Sequence, residues 1–296
     1  MFAGILLSIF TALTIRSDGL HIVVPNEMAE SEGDVNNVFP IFEPGTRVYY
    51  RYQQIYLSSH FTNAGPRFAI IGIAFRVEGG GGMPWGPSNA FNDYLGRILV
   101  KLSTTVRSID GLSATYQENI GPDETTTFDG GLWFRSSIGW STGPTPRPFE
   151  QTIPFRTPFI YEPARGNLLV EIWNFAPIGV PNGEMLDACW NNSAVSRVWG
   201  VHAESTESVN GTPNSIGLVT RFLLAPSLSV SSNDSTNCTI SWPVTDEVFV
   251  LEAASSLSSS SSWQGVTNSL SIVNGRNTLR FSFDSTSRFF RLRRTQ

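Results

Sequence analysis

Charge is what this chain has least of. Lys, Arg, Asp and Glu make up 15% of its 296 residues, well below the roughly 25% of an ordinary soluble domain. Acidic residues outnumber basic ones, 25 to 20, for a net charge of −5. That balance excludes an electrostatic case for nucleic acid or an anionic membrane as partner. Cysteine occurs twice, at Cys189 and Cys238, too few for a disulfide scaffold and without the spacing of a zinc site. Histidine occurs only at His21, His60 and His202, with no pair at a metal-ligand spacing and no HExxH. The four glycines at 79–82 lack the final spaced glycine of a dinucleotide loop, and no Walker pattern is present. Past the N-terminus, no run is long and apolar enough to span a bilayer. What the chain does have is 41% hydrophobic residues, 26 Gly, 18 Pro and 20 Phe. That is enough to bury a core, and the balance favours strands and turns over helices.

Residues 2–15 are apolar and are ended by Arg16, Ser17 and Asp18. The length suits the hydrophobic region of a secretory signal within residues 1–20, with the mature chain starting near His21. Beyond it, strand-like runs dominate. Ile98, Val100 and Leu102 alternate with Arg97, Leu99 and Lys101, and Leu168, Val170 and Ile172 alternate with Leu169, Glu171 and Trp173. Residues 67–77 are apolar on both faces, as in a central strand. Turn signals separate the runs, at 78–87, 121–123, 129–131, 143–148 and 181–183. About nine or ten strands at this spacing predict an antiparallel, jelly-roll-like β-sandwich over residues 21–225. From Pro226 the texture turns serine-rich with short strands. Residues 226–296 are predicted to form a small immunoglobulin/fibronectin III-like β-sandwich. In an oxidising compartment Cys189 and Cys238 could form one disulfide, closing a loop of about 48 residues and contributing ~3–4 kcal/mol, or stay separate thiols.

Two stretches carry a resemblance. Residues 21–41 (HIVVPNEMAESEGDVNNVFPI), 51–56 (RYQQIY), 71–76 (IGIAFR), 102–105 (LSTT), 119–121, 127–130 (TFDG), 149–153 (FEQTI) and 157–169 (TPFIYEPARGNLL) resemble a family of secreted bacterial surface proteins, many bearing a C-terminal exosortase (PEP-CTERM) sorting signal. Residues 240–243 (ISWP), 251–257 (LEAASSL), Trp263 and 289–292 (FFRL) are similar to a C-terminal module common on exported bacterial proteins. The resemblance implies export, β-sandwich domains and use at the cell surface or outside the cell. It brings no catalytic residues. This sequence departs from the pattern by ending in RFFRLRRTQ, without the sorting signal.

Several residues are candidates for chemistry. Residues 139–143 match the G-x-S-x-G nucleophile pattern around Ser141, with Asp187 and His202 following in hydrolase order. Pro144, Pro146 and Pro148 exclude the helix that such an elbow requires, so a glycine-rich loop is the better reading. Glu171 lies beside Trp173 on a strand face, where a carboxylate and an indole can contact a sugar; the competing reading is a strand residue paired with an arginine. Trp85 and Trp140 sit in Gly/Pro-rich loops, as sugar-stacking platforms or as rings folded back on the sandwich edge. Glu32, Asp34, Asn36 and Asn37 are crowded enough to suggest a structural calcium, although capping and turn formation use the same residues. Asp123 and Glu124 occupy another turn.

The expected protein is therefore all-β, exported and non-catalytic, with a structural or adhesion role at the cell surface or in extracellular matrix. The alternative is a carbohydrate-binding module, calcium-assisted or not; a hydrolase built on Glu171 or Ser141 comes third. Expected partners are extracellular polysaccharide or other surface proteins, further copies of the chain included, with no nucleic acid and no span in the mature chain.

Overall fold

A computed structural model of the chain describes residues 20–37, 49–79, 90–137, 145–175, 185–202, 209–232, 237–244, 248–257, 262–282 and 288–295. Trp85, Trp140, Ser141 and the apolar run 2–15 lie outside the described residues. Residues 20–225 form one compact unit and residues 226–296 belong to another. The architecture is all-β, built from several antiparallel sheets of which none closes. Helical structure among the described residues is limited to short 3-10 turns, the longest being Ser58–Ala64. No helix there is long and apolar enough to cross a membrane.

In the larger unit, β1 (His21–Val24), β13 (Thr220–Leu224), β4 (Phe68–Phe75) and β7 (Gln151–Tyr161) make a four-stranded sheet in that order. A six-stranded sheet runs β11 (Thr212–Asn214), β10 (Val195–His202), β3 (Tyr49–Tyr56), β8 (Asn167–Asn174), β5 (Phe91–Thr105), β6 (Thr125–Ser136). A three-stranded sheet joins β12 (Ile216–Leu218), β9 (Leu186–Trp190) and β2 (Val35–Asn37). Alternation decides which side chains face inward. Leu95, Ile98, Val100 and Leu102 of β5, Leu168, Val170 and Ile172 of β8, and Phe128, Leu132 and Phe134 of β6 enter one core with Ile70, Ile73, Ile153 and Phe222 of the facing sheet. Aromatic rings close one end of it. Phe61, from the 3-10 segment, lies 5.1 Å from Phe222, 5.2 Å from Tyr161 and 6.2 Å from Phe68 between ring centroids.

Polar side chains are also drawn inside. Gln54 of β3 accepts the N–H of Leu218 at 2.8 Å and donates to its carbonyl at 2.9 Å, so one amide side chain docks β12 as a strand would. Tyr56 is hydrogen-bonded to Thr220 at 2.8 Å. Arg76 and Asp187 form an ion pair with no exposed side-chain surface, Nε to Oδ2 at 2.6 Å. Asp187 also accepts from Gly33 N–H at 2.8 Å, and Arg76 donates to the Ser31 carbonyl. The pair thus ties the N-terminal segment to β9.

One turn signal is a strand. Asp129, Gly130 and Gly131 lie in the middle of β6, not between strands. The glycines leave room there for side chains lying across them: a Cβ on Gly131 would sit 2.1 Å from the Tyr94 hydroxyl, and one on Gly130 2.6 Å from the Arg156 guanidinium.

The smaller unit has two sheets, β14 (Ser229–Ser232), β15 (Asn237–Pro243), β19 (Arg276–Ser282), β18 (Ser271–Val273) and β17 (Gln264–Gly265), β16 (Phe249–Ala254), β20 (Phe289–Arg294). Ile240, Trp242, Leu251, Leu279 and Phe281 form its core, with Phe290 and Leu292 packed against them. Replacing the ring at the centre of the larger unit's aromatic cluster, Phe61→Ala, is expected to cost ~3–5 kcal/mol, read as a lowered urea midpoint.

Candidate functional site

The outward face of the six-stranded sheet divides into two halves. Over β10, β3 and part of β8 it is covered. Ile109, Leu112 and Tyr116, from the segment after β5, pack on Ile55, Leu169 and Val198 as a second small core. The cover is pinned by polar contacts. Gln53 Nε2 donates to the Tyr116 carbonyl at 3.1 Å, Asn119 Nδ2 donates to Gln53 Oε1 at 2.9 Å, and the Tyr116 hydroxyl donates to the Arg51 carbonyl at 3.1 Å.

Glu171 lies at the border of this cover and is only 2% exposed. Its Oε1 accepts from Arg51 Nε at 2.6 Å and from Trp173 Nε1 at 2.5 Å. The Arg51 guanidinium carbon sits 4.4 Å from the Tyr116 ring centroid and 4.5 Å from that of Trp173. Guanidinium against aromatic faces, with a carboxylate at its edge, is a self-consistent buried cluster. Glu171 and Trp173 are therefore brought together, but by an internal arginine.

Over β5 and β6 the same face is open. Gly96, at φ +71°, forms a bulge that shifts β5 against β6 between Tyr94 and Arg97. A left-handed backbone position of this kind suits glycine. The bulge keeps both Tyr94 and Arg97 on the outward side. Tyr94 stands directly opposite Trp133, ring centroids 5.2 Å apart, with exposures of 46% and 56%. Tyr94 lies across bare Gly131, and Gly131 stands opposite Arg97. Arg97 grips Asp129 bidentately, Nε to Oδ1 at 2.7 Å and Nη2 to Oδ2 at 2.8 Å. That hydrogen bonding holds the Asp129 carboxyl below the usual carboxylate range. Arg97 also lies over the Phe175 ring at 4.4 Å. The result is an exposed aromatic pair contiguous with a solvated Arg–Asp pair.

The acidic N-terminal residues are dispersed by strand pairing. Glu32 Oε1 accepts from Arg147 N–H at 3.2 Å, and Asp34 Oδ1 accepts from Trp190 N–H at 2.8 Å. Asn36 and Asn37 belong to β2, opposite Asp187 and Leu186 of β9. Among the described residues, no group of three or more His, Cys, Asp or Glu side chains could hold a metal ion. His60 Nδ1 accepts from Asn26 N–H at 3.1 Å. Cys189 and Cys238 are buried free thiols, one in each unit. Burial, aided by the nearby Asp187, pushes the Cys189 thiol up to about 12, so it is no nucleophile at neutral pH.

Tyr94, Arg97, Asp129 and Trp133 were not singled out from sequence. The signal was present for Trp133: between inward Leu132 and Phe134, alternation alone directs it outward. Set against known proteins, the chain matches no family model, no curated protein and no solved structure. The resemblance carried by stretches within residues 21–169 and 240–292 thus identifies no family; what holds is the all-β, multi-sheet architecture.

Two outcomes follow from the buried pairs. Glu171→Ala leaves the Arg51 guanidinium buried without its carboxylate and should cost ~3–5 kcal/mol in urea unfolding, whereas the paired change Arg51→Met/Glu171→Leu should cost far less. Burial raises the Asp187 carboxyl from 3.8 to about 6 despite Arg76. The folded chain therefore holds this proton more firmly than the unfolded one. Its contribution to stability is complete below about pH 4 and is lost as the pH rises through 6. Melting curves of the wild type should lose ground to Asp187→Asn over that window, and parallel curves would contradict the assignment.

Proposed function

We propose that this chain is an exported, non-catalytic adhesion protein of the cell surface or extracellular matrix, and that it holds polysaccharide on the open half of the six-stranded sheet. The observation that carries this reading is the exposed Tyr94–Trp133 pair beside Arg97 and Asp129. Pyranose rings present C–H faces that stack on aromatic rings, while their hydroxyls both donate and accept. Aromatic rings level with a bidentate Arg–Asp pair offer both kinds of contact side by side. A flat, open strip of this kind fits an extended chain better than a small solute, which calls for a concave pocket. The burial of Glu171 against Arg51 supports a non-catalytic reading, since glycoside cleavage calls for a pair of carboxylates facing the bond.

The finer fold assignments belong to the same reading. We infer a jelly-roll-like sandwich for the larger unit, supported by facing four- and six-stranded antiparallel sheets that share one core. For the smaller unit we infer an immunoglobulin/fibronectin III-like sandwich. Lettered from A to F in chain order, with C′ after C, its sheets run A-B-E-D and C′-C-F among the described residues, an order that supports this reading.

The test is binding of the purified protein to a panel of polysaccharides, followed by calorimetry on any that bind. The expected result is saturable binding to one glycan class, weakened about tenfold or more by Trp133→Ala or Tyr94→Ala, with melting temperatures near that of the wild type. Absence of glycan binding, or full binding by Trp133→Ala, would overturn the proposal.

A further inference from the structure

In the smaller unit one edge of the three-stranded sheet carries charge, whereas neither edge of the four-stranded sheet does. The three-stranded sheet ends at β17 and at β20, and Arg291 and Arg293 of β20 reach Glu252 of β16 at 2.8 and 2.6 Å. Cations along an edge keep it from pairing with another strand. The four-stranded sheet ends at β14 and β18, and among the described residues each of these pairs on one side only. Neither residues 225–232 (APSLSVSS) nor residues 267–273 (TNSLSIV) contain a charge, and the one proline precedes β14.

The side chains at the two edges match. Val230 stands opposite buried Ile240, and Ile272 opposite Asn277, which stands opposite buried Trp242. Both therefore point to the core-facing side, yet they remain 67% and 68% exposed. Three strands facing four do not cover both edges. On the outward side β14 carries Ser229 and Ser231, and β18 carries Ser271 and Val273.

Strand direction completes the argument. Each step from β14 through β15 and β19 to β18 is antiparallel, so β14 and β18 run in opposite senses. A second copy displaced along the sheet brings its β14 antiparallel to β18 of the first. Val230 of one copy then meets Ile272 of the other on the apolar side; on the other side Ser231 meets Ser271 and Ser229 meets Val273.

We propose that this unit associates head to tail with further copies of the chain, β18 of one adding to β14 of the next, so that the four-stranded sheet continues from molecule to molecule. Such a contact is heterologous and does not close on itself, which makes a filament or a ladder of oligomers its product. The proposal does not depend on glycan binding and can stand or fall separately.

Sedimentation velocity of the full chain over a range of concentrations, without glycan, tests it. The wild type should form a concentration-dependent series extending beyond dimers. Ile272→Lys and Val230→Lys, both at exposed positions, should each be monomeric. Each variant keeps one good edge, so their equimolar mixture should form dimers and nothing larger; that outcome also shows both variants to be folded. A wild type that stays monomeric throughout would overturn the proposal, as would either variant still forming the series. Dimers of Val230→Lys alone would replace it with a symmetric β18–β18 contact.

Discussion

The polar side chains of β3 are the constraint on which the larger unit turns. This strand is buried on both faces, and six of its eight side chains are buried and carry groups that must be hydrogen-bonded where water cannot reach. Satisfying several of them places another part of the chain. Gln54 takes both backbone groups of Leu218 and so seats β12; Tyr56 takes Thr220 and seats β13. On the opposite face the Gln53 side chain holds Tyr116 and Asn119, and the Arg51 guanidinium lies over the Tyr116 ring, which brings the segment after β5 down over the sheet. Apolar packing would tolerate several arrangements of these pieces. A buried amide with one correct partner does not.

A chain with so few charges uses its most deeply buried ones as locators. Arg51–Glu171 joins residues 120 positions apart, and Arg76–Asp187 joins residues 111 apart. Pairs like these add little net stability once desolvation is counted, but breaking them is costly. They therefore act on which arrangement forms more than on how strongly it holds. The exposed Arg97–Asp129 pair has a different setting: both groups are in solvent, where an ion pair contributes little to folding. In such a place an arginine and an aspartate remain available to a ligand.

The strands were legible because period-two alternation is local. Residues 97–102 and 168–173 sort into inward and outward sets with no knowledge of the fold, and the sheets honour that sorting. Glycine was harder to read. Asp129-Gly130-Gly131 has the composition of a turn, yet the glycines make room for Tyr94 and Arg156 from neighbouring strands. Composition reports what a backbone can do, not what lies across it. The acidic segment at 32–37 was ambiguous for a related reason. Carboxylates and amides that cap a strand partner look the same in sequence as those that could surround an ion.

Sequence alone determined the all-β character, the direction in which most strand side chains point and the scarcity of charge. Tertiary structure decided which outward-pointing residues stay outward. Glu171 and Trp133 both alternate away from the core, but the segment after β5 folds over the first and leaves the second in solvent. Alternation assigns a residue to a face; whether that face is covered depends on a partner arriving from far along the chain. For Glu171 that partner is Arg51, and nothing in the local pattern around either residue announces the other.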